Sequence, residues 1–166
     1  MNPPFPATAS ASIEILHPGF GGRAVNTALF DFDGTLSLIR AGWVDVMVPM
    51  MVDILAALGT AETRQELQVV VREFVDRLTG KQTIYQMIEL ARQIELRGGT
   101  PRDPLVYKHQ YLDLLQERIA GRLDALRSGS ASPDEYLVPG SRALLDDLRS
   151  RGVAMYLASG TDHHLV

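Results

Sequence analysis

The sequence contains no cysteine, which excludes disulfides, thiolate metal sites and a cysteine nucleophile, and accords with a reducing compartment. It also lacks a long apolar run. The longest, residues 43–58, is interrupted by Asp45, Pro49 and Asp53 and should not span a bilayer. Its opening segment, MNPPFPATASAS, has neither the basic start nor the apolar stretch of a secretory signal. Positive charge is not in excess either: sixteen Lys+Arg face twenty Asp+Glu, a net charge of −4 with a pI near 5.5. No overall basic field therefore draws the chain onto nucleic acid or anionic lipid. The expectation is a cytoplasmic protein with neither nucleic acid nor membrane among its partners. What is present is 166 residues, 46% hydrophobic and 22% charged, enough for a sizeable core in one domain or in one domain carrying an insertion.

Residues 1–23 read as a leader and connector. A Pro/Ala/Ser/Thr-rich start precedes a short alternating edge-strand signal at 12–17, and a turn rich in glycine (Gly19, Gly21, Gly22) follows. The glycines invite a phosphate-loop reading, but no GK[ST] follows, and a plain connector is the simpler reading. Residues 25–32 (VNTALFDF) form a short apolar run stopped by Asp33-Gly34, which predicts a buried strand. From residue 41 to about 127 the apolar period becomes helical. Four helices are predicted, at 43–58, 61–78, 84–96 and 105–126, with Pro49 expected to kink or break the first near Asp45. Met47, Met50 and Met51 read as adaptable core packing. Residues 128–135 (SGSASPDE) have linker composition. A helix follows at 141–151, with Leu144, Leu145 and Leu148 facing a core, and then a second buried strand at 153–158 (VAMYLA). Strand, helical insertion, helix, strand is an α/β arrangement with parallel strands.

The strongest chemical signal is Asp31-Phe32-Asp33-Gly34-Thr35, placed where the first strand ends and where open α/β sheets hold their ligands. Alternation puts Asp31 and Asp33 on one side of an extended chain, with Phe32 opposite. Gly34 permits the sharp exit and a close approach of backbone N–H groups to an anion. Such a carboxylate pair can act as nucleophile and general acid/base, or bind a hard cation through oxygen. The alternative is an Asx-type turn that merely ends a strand.

With these residues in view, the sequence resembles the haloacid dehalogenase (HAD) superfamily. ALFDFDGTL (28–36) resembles that family's first motif, and VAMYLASGT (153–161) its second. The helical block between them resembles the cap that phosphoglycolate-phosphatase-like and sugar-phosphate phosphatase members insert after the first motif. The resemblance implies a partial Rossmann-like parallel sheet core of the HAD type (24–39 and 137–166) with an inserted all-helical cap (40–136), hinged near 37–40 and 136–139. It implies a Mg2+-dependent phosphomonoester hydrolase acting on a small phosphorylated metabolite. In that reading Asp31 attacks phosphorus and forms an aspartyl-phosphate. Asp33 protonates the leaving alcohol and later activates water. Mg2+ sits on the Asp31 carboxylate and the Asp33 backbone carbonyl. Ser159, with the N–H groups of Gly160 and Gly34, holds phosphate oxygens. A phosphomutase uses the same two aspartates, and a non-catalytic binding module is an alternative of another class.

The family's later motifs, a basic residue and an acidic pair, follow the second motif at some distance, and the sequence ends at Val166. The expectation is therefore an N-terminal part completed by a C-terminal half or a second chain, and weak or absent catalysis alone, because a carboxylate attacking a phosphate dianion needs cations. Where many capped members carry an acid seven residues after the nucleophile, this chain has Leu38. Secondary candidates are Lys81 and Arg40. The segment 79–82 (TGKQ) is expected to open the third helix, either as a Thr79/Gln82 capping box or with Lys81 clamping a substrate phosphate or carboxylate. Arg40 is either a substrate contact or a solvated hinge charge. Adjacent His163 and His164 cannot share a helical face, so surface polarity is the expectation for both, with Asp162 as a helix cap.

Overall fold

The computed structural model describes residues 24–158; the expected leader strand and glycine turn, and residues 159–164, lie outside them. The described chain is mixed α/β, with five α-helices and a parallel two-stranded sheet. Strand β1 (Thr27–Asp31) leads into a helical segment of α1 (Val44–Ala56), α2 (Arg64–Leu78), α3 (Thr83–Leu96) and α4 (Pro104–Ser128). A 3-10 turn (Pro133–Tyr136), α5 (Ser141–Ser150) and strand β2 (Ala154–Ala158) follow. Among the described residues no helix is long and apolar enough to cross a membrane.

The helical segment holds the main core. Met51, Leu55, Leu67, Val71, Val75, Met87 and Leu90 are fully buried there, and Tyr111, Leu115 and Ile119 close it from α4. The three methionines of α1 are all buried within it. Helix α1 runs through Pro49 as one element and begins at Val44, without the expected break at Asp45. An interior proline costs about 3 kcal/mol. Against that, six residues of α1 are buried, each contributing about 1.5–3 kcal/mol, and packing wins. Helix α2 starts three residues later than its apolar pattern suggests, because Thr63 and Glu66 form a reciprocal capping box. Part of the expected linker is ordered: Ser132 and Glu135 cap the 3-10 turn in the same way.

The sheet departs from expectation. Both strands were expected to be buried, yet Leu29 is 69% exposed, Tyr156 60% and Leu157 56%. Helix α5 packs on β2, yet no position of either strand is fully buried, whereas parallel sheets ordinarily bury both faces. Leu144 of α5, expected inward, is likewise exposed, while Leu145 and Leu148 are half-buried.

The two crossings between sheet and helical segment pair with each other. Ser37 and Leu137 form an antiparallel bridge. The Leu38 N–H donates to the Tyr136 carbonyl at 2.7 Å, and the Val138 N–H donates to the Leu36 carbonyl at 3.0 Å. Arg122 of α4 anchors the outgoing crossing, its Nη1 donating to the carbonyls of Ile39 (2.6 Å) and Ala41 (2.8 Å).

Two expected outcomes follow from the packing. A Cβ at Gly99 would stand 2.7 Å from Leu58 Cδ2 and 2.8 Å from Ile94 Cγ2, so Gly99→Ala should destabilise the protein by about 1–3 kcal/mol in urea unfolding. Arg97 donates to both carboxylate oxygens of Glu62 at 2.7 Å, and this hydrogen bonding holds the Glu62 carboxyl below its ordinary 4.5. A lowered folded-state value gives stability that is present above pH 4.5 and lost as pH falls through the lower value. Arg97→Met should therefore destabilise the protein near neutrality and flatten its acid limb. Unfolding at stepped pH checks this, and an acid limb as steep as that of the unsubstituted chain would contradict it.

Candidate active site

Strands β1 and β2 are in parallel register from Thr27↔Ala154 to Asp31↔Ala158. Both thus end level, and Asp31 stands beside the residue that precedes Ser159. Ser159 and Gly160 themselves lie outside the described residues. After Asp31 the chain folds into a tight turn in which Thr35, Leu36 and Ser37 all donate N–H groups to the Phe32 carbonyl. Gly34 takes φ 80° there, a conformation that favours glycine. Its N–H, expected to face phosphate, instead donates to the Ser37 carbonyl at 2.8 Å, because the turn consumes it. Thr35 Oγ1 donates to Asp31 Oδ2 at 2.9 Å and fixes that carboxylate.

Asp31 and Asp33 both line one cavity of about 370 Å³, within the size range of small-molecule sites. Its opposite wall is helical, formed by the start of α1, the α2–α3 loop and the first half of α4. Arg40 enters from the outgoing crossing, its Nη1 3.0 Å from Asp33 Oδ2, with the side chain 21% exposed. Of the two readings of Arg40, the solvated hinge charge gives way to an ion pair inside the cavity. Lys81 lines the same cavity.

The expected Thr79/Gln82 capping box does not form. Thr79 ends α2, its hydroxyl donating to the Val75 carbonyl at 2.9 Å. Gln82 takes the N-cap position of α3 without a side-chain capping hydrogen bond. Gly80, at φ 87°, turns the chain between the two helices, so 79–81 belong to the exit from α2 and α3 starts at Thr83.

Several cavity residues carried no signal in the sequence pattern. Trp43 reads as packing within the apolar period of the first predicted helix, Gln86 lies on α3, and Lys108 and Tyr111 lie on α4. A buried tyrosine one helical turn before Leu115 reads as core, and only the fold shows that it lines the cavity of the acidic pair. Burial, the largest influence, pushes the Tyr111 hydroxyl up to about 12, with Arg40 opposing and Asp33 reinforcing. At neutral pH Tyr111 is thus a neutral phenol that can donate a hydrogen bond.

Among the described residues no group of three or more His, Asp or Glu is placed to hold a metal ion. A smaller donor set remains, the two aspartates of the turn, and it is made of hard oxygen atoms. Mg2+ is commonly bound through one or two carboxylates with water and substrate phosphate completing its shell, and this set fits that pattern. No family model, no curated protein and no solved structure matches the chain.

Because the unfolded chain releases the Tyr111 proton first, the folded state should lose stability as pH rises from 10 towards about 12. Alkaline titration followed by tyrosinate absorbance should contain one component near pH 12 that Tyr111→Phe removes. An unchanged titration would place the high-lying group elsewhere.

Proposed function

We propose that the protein is a phosphomonoester hydrolase of the HAD type, working on a small phosphorylated metabolite through Asp31. The observation that carries this reading is the placement of Asp31 and Asp33 together on one cavity, at the level where both parallel strands end. The sequence DFDGT supplies the chemistry, and the cavity supplies a place for substrate.

Asp31, held by Thr35, attacks phosphorus in line, so that an O–P bond forms as the ester O–P bond breaks. Asp33 gives its proton to the departing alkoxide, then takes one from the water that hydrolyses the aspartyl-phosphate. The Asp31 carboxylate and the Asp33 backbone carbonyl would hold Mg2+, which would supply positive charge to offset the repulsion between carboxylate and phosphate. Arg40 adds a fixed cation beside Asp33. Ser159 and Gly160 keep their assignment as phosphate contacts, whereas Gly34 contributes its conformation. The helical segment acts as a cap that limits water over the reacting atoms.

In the full-length protein, Asp31→Asn should abolish release of phosphate from an aryl phosphate in the presence of Mg2+, and retained turnover would remove Asp31 as nucleophile. Asp33→Asn should separate the two roles. An alkyl phosphate, whose alkoxide needs protonation, should slow by about 10²–10⁴-fold, and an aryl phosphate with a good leaving group by much less. Equal losses on both esters would argue against Asp33 as the acid.

A further inference from the structure

Helix α3 buries two glutamines and α4 two tyrosines, and the fold satisfies one of each. Gln93 donates to Glu89 Oε1 at 2.8 Å and accepts from Arg97 Nη1 at 2.7 Å. The Tyr107 hydroxyl accepts from the Arg102 N–H at 2.9 Å. Gln86 and Tyr111 are at least as deeply buried, 3% and 4% exposed. Yet among the described residues neither of their side chains forms a hydrogen bond, and both line the cavity that holds Asp31 and Asp33.

Buried polar groups are ordinarily paired, because removing one from water without a partner costs free energy that folding does not return. An aliphatic side chain or a phenylalanine would fill either place without that cost. An amide and a phenol, on different helices and bordering one cavity, therefore mark a place where the partner comes from outside the chain.

The chemistry of the pair defines that partner. The amide carries no charge, the phenol is neutral at physiological pH, and each can both donate and accept a hydrogen bond. A carboxamide sets its donor and its acceptor side by side in one plane, and a second amide edge meets both with its own two polar atoms. Trp43, Met47 and Leu115 line the same cavity, and an indole beside apolar side chains suits the flat, apolar remainder of such a ligand.

We propose that this cavity binds its ligand through an uncharged planar amide edge, a carboxamide or a lactam, held by Gln86 and Tyr111. Selection is then by neutral hydrogen bonding, and it stands whether or not Asp31 acts on phosphorus.

The test needs no turnover. Trp43 is the only tryptophan in the sequence and lines the cavity, so its indole N–H gives a single NMR resonance that reports occupancy. Titration of the full chain with benzamide and with acetophenone, which has the same shape without the amide donors, should show benzamide binding about tenfold more tightly. Acetophenone is the more apolar of the two, so apolar burial alone would reverse that order. Gln86→Met should bring the two affinities within about twofold of each other, and Tyr111→Phe should cut the ratio to about threefold. Equal affinities in the unsubstituted chain, or a ratio untouched in Gln86→Met, would overturn the proposal. Urea unfolding separates recognition from a structural role. Gln86→Met and Tyr111→Phe should unfold at a midpoint equal to or above that of the unsubstituted chain, since no internal hydrogen bond is lost. Gln93→Met, which breaks the bonds to Glu89 and Arg97, should unfold earlier. A Gln86→Met midpoint as low as that of Gln93→Met, or a Gln86→Met chain that does not fold, would make Gln86 a structural residue and defeat the proposal as well.

Discussion

A pair of backbone hydrogen bonds governs the architecture. Where the chain leaves β1 and where it returns towards β2, Leu38 and Val138 donate to Tyr136 and Leu36. The long helical excursion is thereby closed at its base, and the strands can lie in parallel register although the whole helical segment separates them in sequence. Without that closure, the acidic turn after β1 and the helical wall opposite it would be ends of a flexible connection. With it, they face each other across one cavity.

Apolar order is distributed unevenly around this base. Nearly all fully buried side chains belong to the helical segment, while the two strands contribute only half-buried or exposed positions among the described residues. The apolar core and the acidic pair thus reside in different places. The helices supply a core that tolerates a proline inside α1, and the sheet end supplies the carboxylates. Polar anchors join the two. Arg40 reaches Asp33, and Arg122 reaches the carbonyls of the outgoing crossing.

Much of this was legible in the sequence wherever a local cause decided the outcome. The DFDGT turn and the helical period from 41 to 127 are local signals, and the elements formed where those signals lie. The crossings at 37–40 and 136–139, expected as hinges, are the segments that pair. Local pattern failed where the deciding partner was distant. A short apolar run reads as a buried strand, but burial depends on what covers the sheet, and Leu29 and Tyr156 are exposed. The Thr79/Gln82 spacing suits a capping box, yet with Gly80 turning the chain Thr79 ends α2 and Gln82 alone takes the N-cap position of α3. Arg40 could be placed near the site but not paired, since its link to Asp33 depends on how the turn folds. Tyr111 and Lys108 carried no signal because a long helix offers many such side chains, and only tertiary packing selects the few that border a cavity.

The grip of Arg122 has a mechanical consequence. Its guanidinium holds the carbonyls on both sides of residue 40, so the peptide that bears Arg40 is pinned to α4 at two points. A rigid-body tilt of α4 that preserves those bonds must carry Arg40 along and change its reach towards Asp33. Rotation of a twenty-five-residue helix is thereby geared to the charge environment of one carboxylate, with a single arginine as the linkage.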